Sequence, residues 1–290
     1  MTLSTFETNQ DLKLAVLIDA DNIPYARIKA MLEEIAKYGT PTFKRIYGDW
    51  TRPNLSGWKT VLLENAITPI QQYSYTKGKN STDSALIIDA MDILYTGKVD
   101  GFCIISSDSD FTRLATRLRE AGMKVFGMGE KKTPVSFIAS CNKFIYIEIL
   151  DAAEDTVTAI GSPALINTHA LKSATSKPPA KAKRAAPTKK TTSPPPTVIE
   201  EMKAPVPAVS AINEDLIKLI RDSISDLAEE DGWAGLAQLG SLLIKKQPDF
   251  DPRNYGFKKL VSLIKNIPAV ETDERITGKN STPHIYVRIP

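Results

Sequence analysis

The sequence predicts an α/β fold, a doubly wound parallel sheet, followed by a linker and a small winged helix. Two stretches carry the first part of that expectation. Leu14-Ala-Val-Leu-Ile-Asp-Ala-Asp-Asn22 is an unbroken apolar run that stops in acids, and Gly101-Phe-Cys-Ile-Ile-Ser-Ser-Asp-Ser-Asp-Phe111 repeats the pattern. Short apolar runs of this kind read as strands buried on both faces. The third observation is that helical and strand-like spacings alternate along residues 1–150.

Taken in order, Ile28, Met31, Leu32 and Ile35 predict a helix over residues 23–38, closed by Gly39 and Pro41. Thr42–Tyr47 reads as a second strand and Gly48–Asn54 as the loop at its carboxyl end. Trp58 to Leu63 suggests a helix, and Ile67–Tyr75 a third strand. A polar, basic stretch, Thr76–Ser84, leads into a helix with Asp83 in its first turn, where a carboxylate suits the dipole. Phe102–Ser106 is the next strand and Phe111–Ala121 the next helix. Val125–Met128 and Lys143–Leu150 are expected as the last two strands.

Residues 151–211 are rich in Pro, Lys, Ser and Thr, with too little apolar material to offset the entropy of ordering, and predict a flexible linker. From residue 212 to 290, three amphipathic helical patterns and a closing pair of strands, at Val270 and His284–Ile289, describe the winged helix, with Trp233 expected in its core.

Bulk properties narrow the function. The chain has 290 residues, 42% of them hydrophobic and 24% charged. No apolar run approaches the roughly 18 residues of a membrane span. The polar start carries no secretory pattern, and the reading is a cytoplasmic protein. Cys103 and Cys141 lie in apolar surroundings and are expected as reduced thiols. The formal charge is +3, but residues 1–150 hold 18 basic against 17 acidic side chains and residues 212–290 hold 11 against 12. The excess sits in the linker, so attraction to a polyanion must come from local patches or from that tether. His169 and His284 have no partner ligands that would suit zinc. No Gly-rich phosphate loop and no Ser/His/Asp order is visible.

The chemistry sits where apolar runs give way to carboxylates. Asp19 and the pair Asp108 and Asp110 are expected at the carboxyl ends of two parallel strands, where open α/β sheets place their ligands. Asp83, at a helix start, would face them. Clustered carboxylates are costly unless a cation neutralises them or some stay protonated. Asp108 and Asp110 also stand where a helix N-cap belongs, and Asp21 fits a helix-start charge, but three acids at two strand ends exceed what capping requires.

Residues 1–150 resemble the NYN family of PIN-like ribonucleases, through Ile18-Asp-Ala-Asp-Asn-Ile23, Lys79-Asn-Ser-Thr-Asp83 leading to Asp89, and Ser106-Ser-Asp-Ser-Asp-Phe111. The resemblance implies an Mg²⁺- or Mn²⁺-dependent nuclease acting on single-stranded RNA. Asp19, Asp108 and Asp110 are then expected nearest the metal and Asp83 completes the set, with Asn22, Ser106 and Asp89 supporting. Residues 212–290 resemble the OST-HTH or LOTUS domain, through Gly232-Trp-Ala-Gly-Leu236, Leu239-Gly240 and Phe250-Asp-Pro-Arg-Asn-Tyr-Gly-Phe-Lys-Lys-Leu260. That likeness implies RNA binding, and protein contacts in some members.

Lys77, Lys79 and Asn80 are candidates for holding phosphate. Arg45, Trp50 and Arg52 are candidates for lining a groove, with Trp50 either a stacking platform or packed core. Arg253, Tyr255, Lys258 and Lys259 are the candidate RNA surface of the second domain. The residues leave a second class open, a non-catalytic adaptor that holds RNA or protein partners, and they do not separate RNA from DNA.

Overall fold

The computed structural model describes residues 11–73, 81–150, 210–268, 270–275 and 283–290. The stretch from residue 74 to 80 and nearly all of the expected linker lie outside the described residues. Six parallel strands form one sheet: β1 (Lys13–Asp19), β2 (Thr40–Gly48), β3 (Thr68–Gln71), β4 (Gly101–Ile105), β5 (Lys124–Gly129) and β6 (Lys143–Tyr146). Their order is β3-β2-β1-β4-β5-β6, the doubly wound arrangement expected from the sequence.

The period-two geometry of a strand explains why β1 and β4 have no polar face. Leu14, Val16 and Ile18 enter one core with Cys103 and Ile105, while Ala15 and Leu17 enter the opposite one with Phe102 and Ile104. The first core is closed by α1 (Ile28–Ile35) and α2 (Trp58–Glu64), through Met31, Ile35 and Trp58. The second is closed by α3 (Ser81–Thr96), α4 (Thr112–Glu120) and α5 (Val135–Ser140), through Leu86, Leu118 and Phe137. Both cysteines are free and buried, and burial pushes the Cys141 thiol up to about 12.

Three local expectations are corrected. The first helix begins only at Ile28, because Pro24 holds extended backbone and Tyr25–Arg27 form a tighter turn. The last strand stops at Tyr146, and Ile147–Ile149 turn instead of extending. The short helix α5 was not foreseen; six residues are too few to show a helical period.

Residues 210–290 fold into α6 (Glu214–Leu227), α7 (Leu236–Lys246) and α8 (Leu260–Ile264), with β7 (Ala234–Gly235), β8 (Glu271–Arg275) and β9 (His284–Arg288). The small sheet has the order β7-β9-β8 and is antiparallel. Asn213 caps α6 by accepting from the Leu216 amide at 3.0 Å. Leu216, Ile220, Leu239, Leu243, Leu263 and Val287 make the core. Trp233, expected there, is half-buried instead, under the guanidinium groups of Arg288 and Arg275 at 4.7 and 5.0 Å from its ring.

The second domain packs on one edge of the first domain's sheet, at β6. The Phe144 amide of edge strand β6 donates to the Pro248 carbonyl at 2.8 Å, and the Tyr146 hydroxyl donates to Asp249 at 2.8 Å. Exposed sheet edges invite pairing with other chains, and this one is blocked from within. Arg253 completes the seam by forking onto both oxygens of Glu34 in α1, at 2.9 and 2.8 Å. Among the described residues, no helix is long and apolar enough to cross a membrane.

Candidate metal centre

Because all six strands run the same way, every residue that follows a strand end arrives at one edge of the sheet. Asp19 ends β1 and is fully buried. One of its oxygens accepts from the Asn22 side-chain amide at 2.6 Å and the Ser106 hydroxyl at 2.8 Å, and the other from the Asp21 amide at 3.1 Å. Burial raises its pKa and these hydrogen bonds oppose the rise. Ser106 also accepts from the Asp108 amide at 3.1 Å, so one hydroxyl ties the loop after β4 to the end of β1. The loop is hemmed in from β5: a Cβ on Gly129 would lie 2.6 Å from the Ser106 carbonyl oxygen, which a glycine alone permits.

Asp108 performs the cap that the sequence allowed, accepting from the Asp110 amide at 2.9 Å. The capping does not exhaust it. Asp83, in the first turn of α3, brings a carboxylate oxygen to within 4.8 Å of oxygens of both Asp108 and Asp110. Asp83 is pushed up to about 6, by burial first and then by the charges of Asp19, Asp108, Asp110 and Asp21. Three all-oxygen ligands this close, one of them reluctant to ionise, fit a hard divalent cation.

The carboxylates whose oxygens lie within 4.8 Å of one another are those of Asp83, Asp108 and Asp110. Asp19, whose oxygens accept three hydrogen bonds, is the foremost of the charges that raise Asp83. Asp21 is no helix-start charge, since the first turn there contains no acid; it accepts from the Thr82 hydroxyl at 3.2 Å. Asp89, expected to support the site, pairs with Arg45 and accepts from the Tyr47 hydroxyl.

One acid escaped the sequence reading. Asp49 follows β2 directly and is buried, accepting from the Thr51 hydroxyl at 2.6 Å and the Gln71 amide at 3.1 Å. It also lies 3.5 Å from Nε of Arg52, whose Nη1 reaches to 4.0 Å from Asp21. Asp49 thus aims Arg52 at the rim of the acidic edge. The signal was present, since Ile46-Tyr47-Gly48-Asp49 is a third apolar run ending in an acid.

The remaining candidates divide. Trp50 is half-buried against the first core, with its indole N–H donating to the Ile70 carbonyl at 3.0 Å. Lys77, Lys79 and Asn80 lie outside the described residues. Lys258 and Lys259 are exposed. Arg253 is not part of an open surface: it holds Glu34 and Asp251 at the seam, with 26% of its side chain exposed. Tyr255 stands beside it, partly buried against Phe250.

A family model for the NYN domain matches residues 13–148, and one for the OST-HTH/LOTUS domain matches residues 208–282. The chain joins an NYN domain to an OST-HTH/LOTUS domain. The NYN domain places the acidic edge in the PIN-like ribonuclease superfamily. Solved structures are similar to parts of the chain. A protein of unknown function from Vibrio parahaemolyticus matches at 19% identity over 49% of this chain and 96% of its own, with a TM-score of 0.41. An uncharacterized protein from Nitrosomonas europaea matches at 31% identity over 36% of this chain and 91% of its own, with a TM-score of 0.26. A Chromobacterium violaceum protein matches at 32% identity over 27% and 82%, with a TM-score of 0.23. No curated protein matches the chain.

Proposed function

We propose that the protein is a metal-dependent endoribonuclease that hydrolyses phosphodiester bonds of single-stranded RNA, with the OST-HTH domain helping to hold the strand. The observation that carries this reading is the convergence of Asp83, Asp108 and Asp110 within 4.8 Å at the carboxyl edge of an NYN sheet. These three carboxylates would hold Mg²⁺ or Mn²⁺. The ion supplies, when bound, an acidified water and neutralisation of charge at the scissile phosphate.

The protein's own residues do the rest. Asn22 and Ser106 hold Asp19 in one rotamer, so that its charge backs the triad without moving. Asp49 directs Arg52 to the rim, where a guanidinium can fork onto phosphate oxygens. Lys258 and Lys259, exposed on the second domain, give the polyanion a further anchor.

Purified protein incubated with labelled single-stranded RNA should cleave it with Mn²⁺ or Mg²⁺, and EDTA or Asp110→Asn should abolish cleavage. RNA that is bound but stays intact with either ion would reduce the protein to an adaptor.

A further inference from the structure

Where the two domains meet lies a cleft of about 200 Å³ that the acidic edge does not include. Tyr146 and Lys131 wall it from the NYN domain, and Gln247, Asp249, Asn254 and Tyr255 from the OST-HTH domain. Tyr146 ends β6 and Lys131 follows β5, so the cleft opens at the same carboxyl edge as Asp108. The sheet order puts β6 two strands from β4, a lateral offset of roughly 10 Å. A strand of RNA that meets the acids can reach the cleft without leaving the edge.

The chemistry of the walls is specific. Asp249 accepts the Tyr146 hydroxyl at 2.8 Å, and a carboxylate has further lone pairs to fill. Asn254, 7% exposed, donates its amide to the Asp249 backbone carbonyl at 2.9 Å and so fixes the segment that carries the carboxylate. The Asp249 carboxylate in the wall asks for a ligand that brings N–H donors, and it disfavours a phosphate there. Two phenol rings, with the amide of Gln247, match the aromatic stacking and edge hydrogen bonding by which unpaired bases are held.

We infer that this cleft between the domains binds one amino-bearing nucleobase (adenine, cytosine or guanine) of the RNA strand. The inference rests on the RNA reading above. It makes each domain half of a single subsite, which neither half could form alone.

The test uses the full chain in EDTA, where binding is read without cleavage. Affinities for short oligo(A), oligo(C) and oligo(U) are measured for the parent, Gln247→Ala, Tyr255→Ala and Asp249→Asn, with circular dichroism to confirm folding. The parent should prefer A and C to U. Tyr255→Ala should weaken binding of A and C by about tenfold, as loss of one stacked base does. Gln247→Ala, on a half-exposed side chain, should weaken it less, and Asp249→Asn should erase the preference over U. RNA carrying 8-azidoadenine, which keeps the exocyclic amino group, should crosslink on irradiation to the peptides of Tyr146 or Tyr255. Binding that is equal for U and A and unmoved by folded variants would overturn the cleft while leaving RNA binding intact. No binding to any oligonucleotide would overturn both readings.

Discussion

Two clusters of charge, one at the sheet's carboxyl edge and one at the domain seam, are built on opposite terms. At the edge, Asp83, Asp108 and Asp110 bring like charges within 4.8 Å, and Asp83 is pushed up to about 6 by burial and its neighbours. At the seam, burial would raise Glu34, but hydrogen bonds from Arg253 and Lys37 outweigh it and hold the carboxyl down at about 2. Arg253 in turn forks onto Asp251 at 3.0 and 2.8 Å. The seam satisfies its charges from within the chain and so serves structure. The edge leaves a deficit of positive charge that a divalent ion would fill, as the proposed nuclease requires.

The largest effect should come from removing charge at the edge. Asp108→Asn should lower cleavage by at least ~100-fold in single-turnover assays, since ion-mediated stabilisation is worth several kcal/mol. The folded protein should tolerate it, because repulsion is relieved. A variant that cleaves as fast as the parent would break the contrast.

The seam should respond in the opposite sense. Arg253→Ala leaves Glu34, 3% exposed, facing no cation from the second domain, and should cost about 1.5–3 kcal/mol. The readout is the melting temperature together with new protease cuts near residue 250. Replacing the whole cluster together, Arg253→Met with Glu34→Leu and Asp251→Asn, should recover most of the loss, because paired buried charges and apolar substitutes are often equivalent. Failure of the triple variant would show that the fork supplies more than neutralisation.

Acidity should separate the two clusters within one experiment. Glu34 has a folded pKa of about 2 against an ordinary 4.5, so its contribution is complete above about 4.5 and fades as pH falls toward 2. Asp83 is raised from 3.8 to about 6, so the folded protein holds a proton that the unfolded chain has lost, and stability falls as pH rises through that window. In EDTA the melting temperature should therefore peak near pH 4. Mn²⁺ should raise it markedly at pH 7.5 and little at pH 5. Asp83→Asn should flatten the decline between about pH 4 and pH 6 and leave the acid limb to Glu34.

The smallest expected effect lies at the rim. Arg52→Ala should weaken RNA binding a few-fold and reduce the slope of log affinity against log salt by about 1. Asp49→Asn should reproduce part of the loss by freeing Arg52, while the slope stays as in the parent.

Much of this was legible from order and spacing. The apolar runs of β1 and β4 announced strands buried on both faces, and the acids at their ends announced an acidic edge, since parallel strands deliver their carboxyl termini together. Asp83 was placed correctly at a helix start. The partners of Asp19 were not legible: it takes three local hydrogen bonds, an outcome of rotamers and loop packing. Asp89 looked like a neighbour of Asp83 along one helix, yet its partners come from β2.

What the amino-acid order determined by itself is therefore the set of elements and the edge where chemistry collects, because hydrophobic period and chain direction are local properties. What only the tertiary structure decided is which charges meet. Arg253 sits in a run that reads as an RNA-facing loop, but it finds Glu34 across 219 positions of sequence. Coulomb attraction depends on distance in space, and a buried ion pair forms only where packing has already excluded water from both partners.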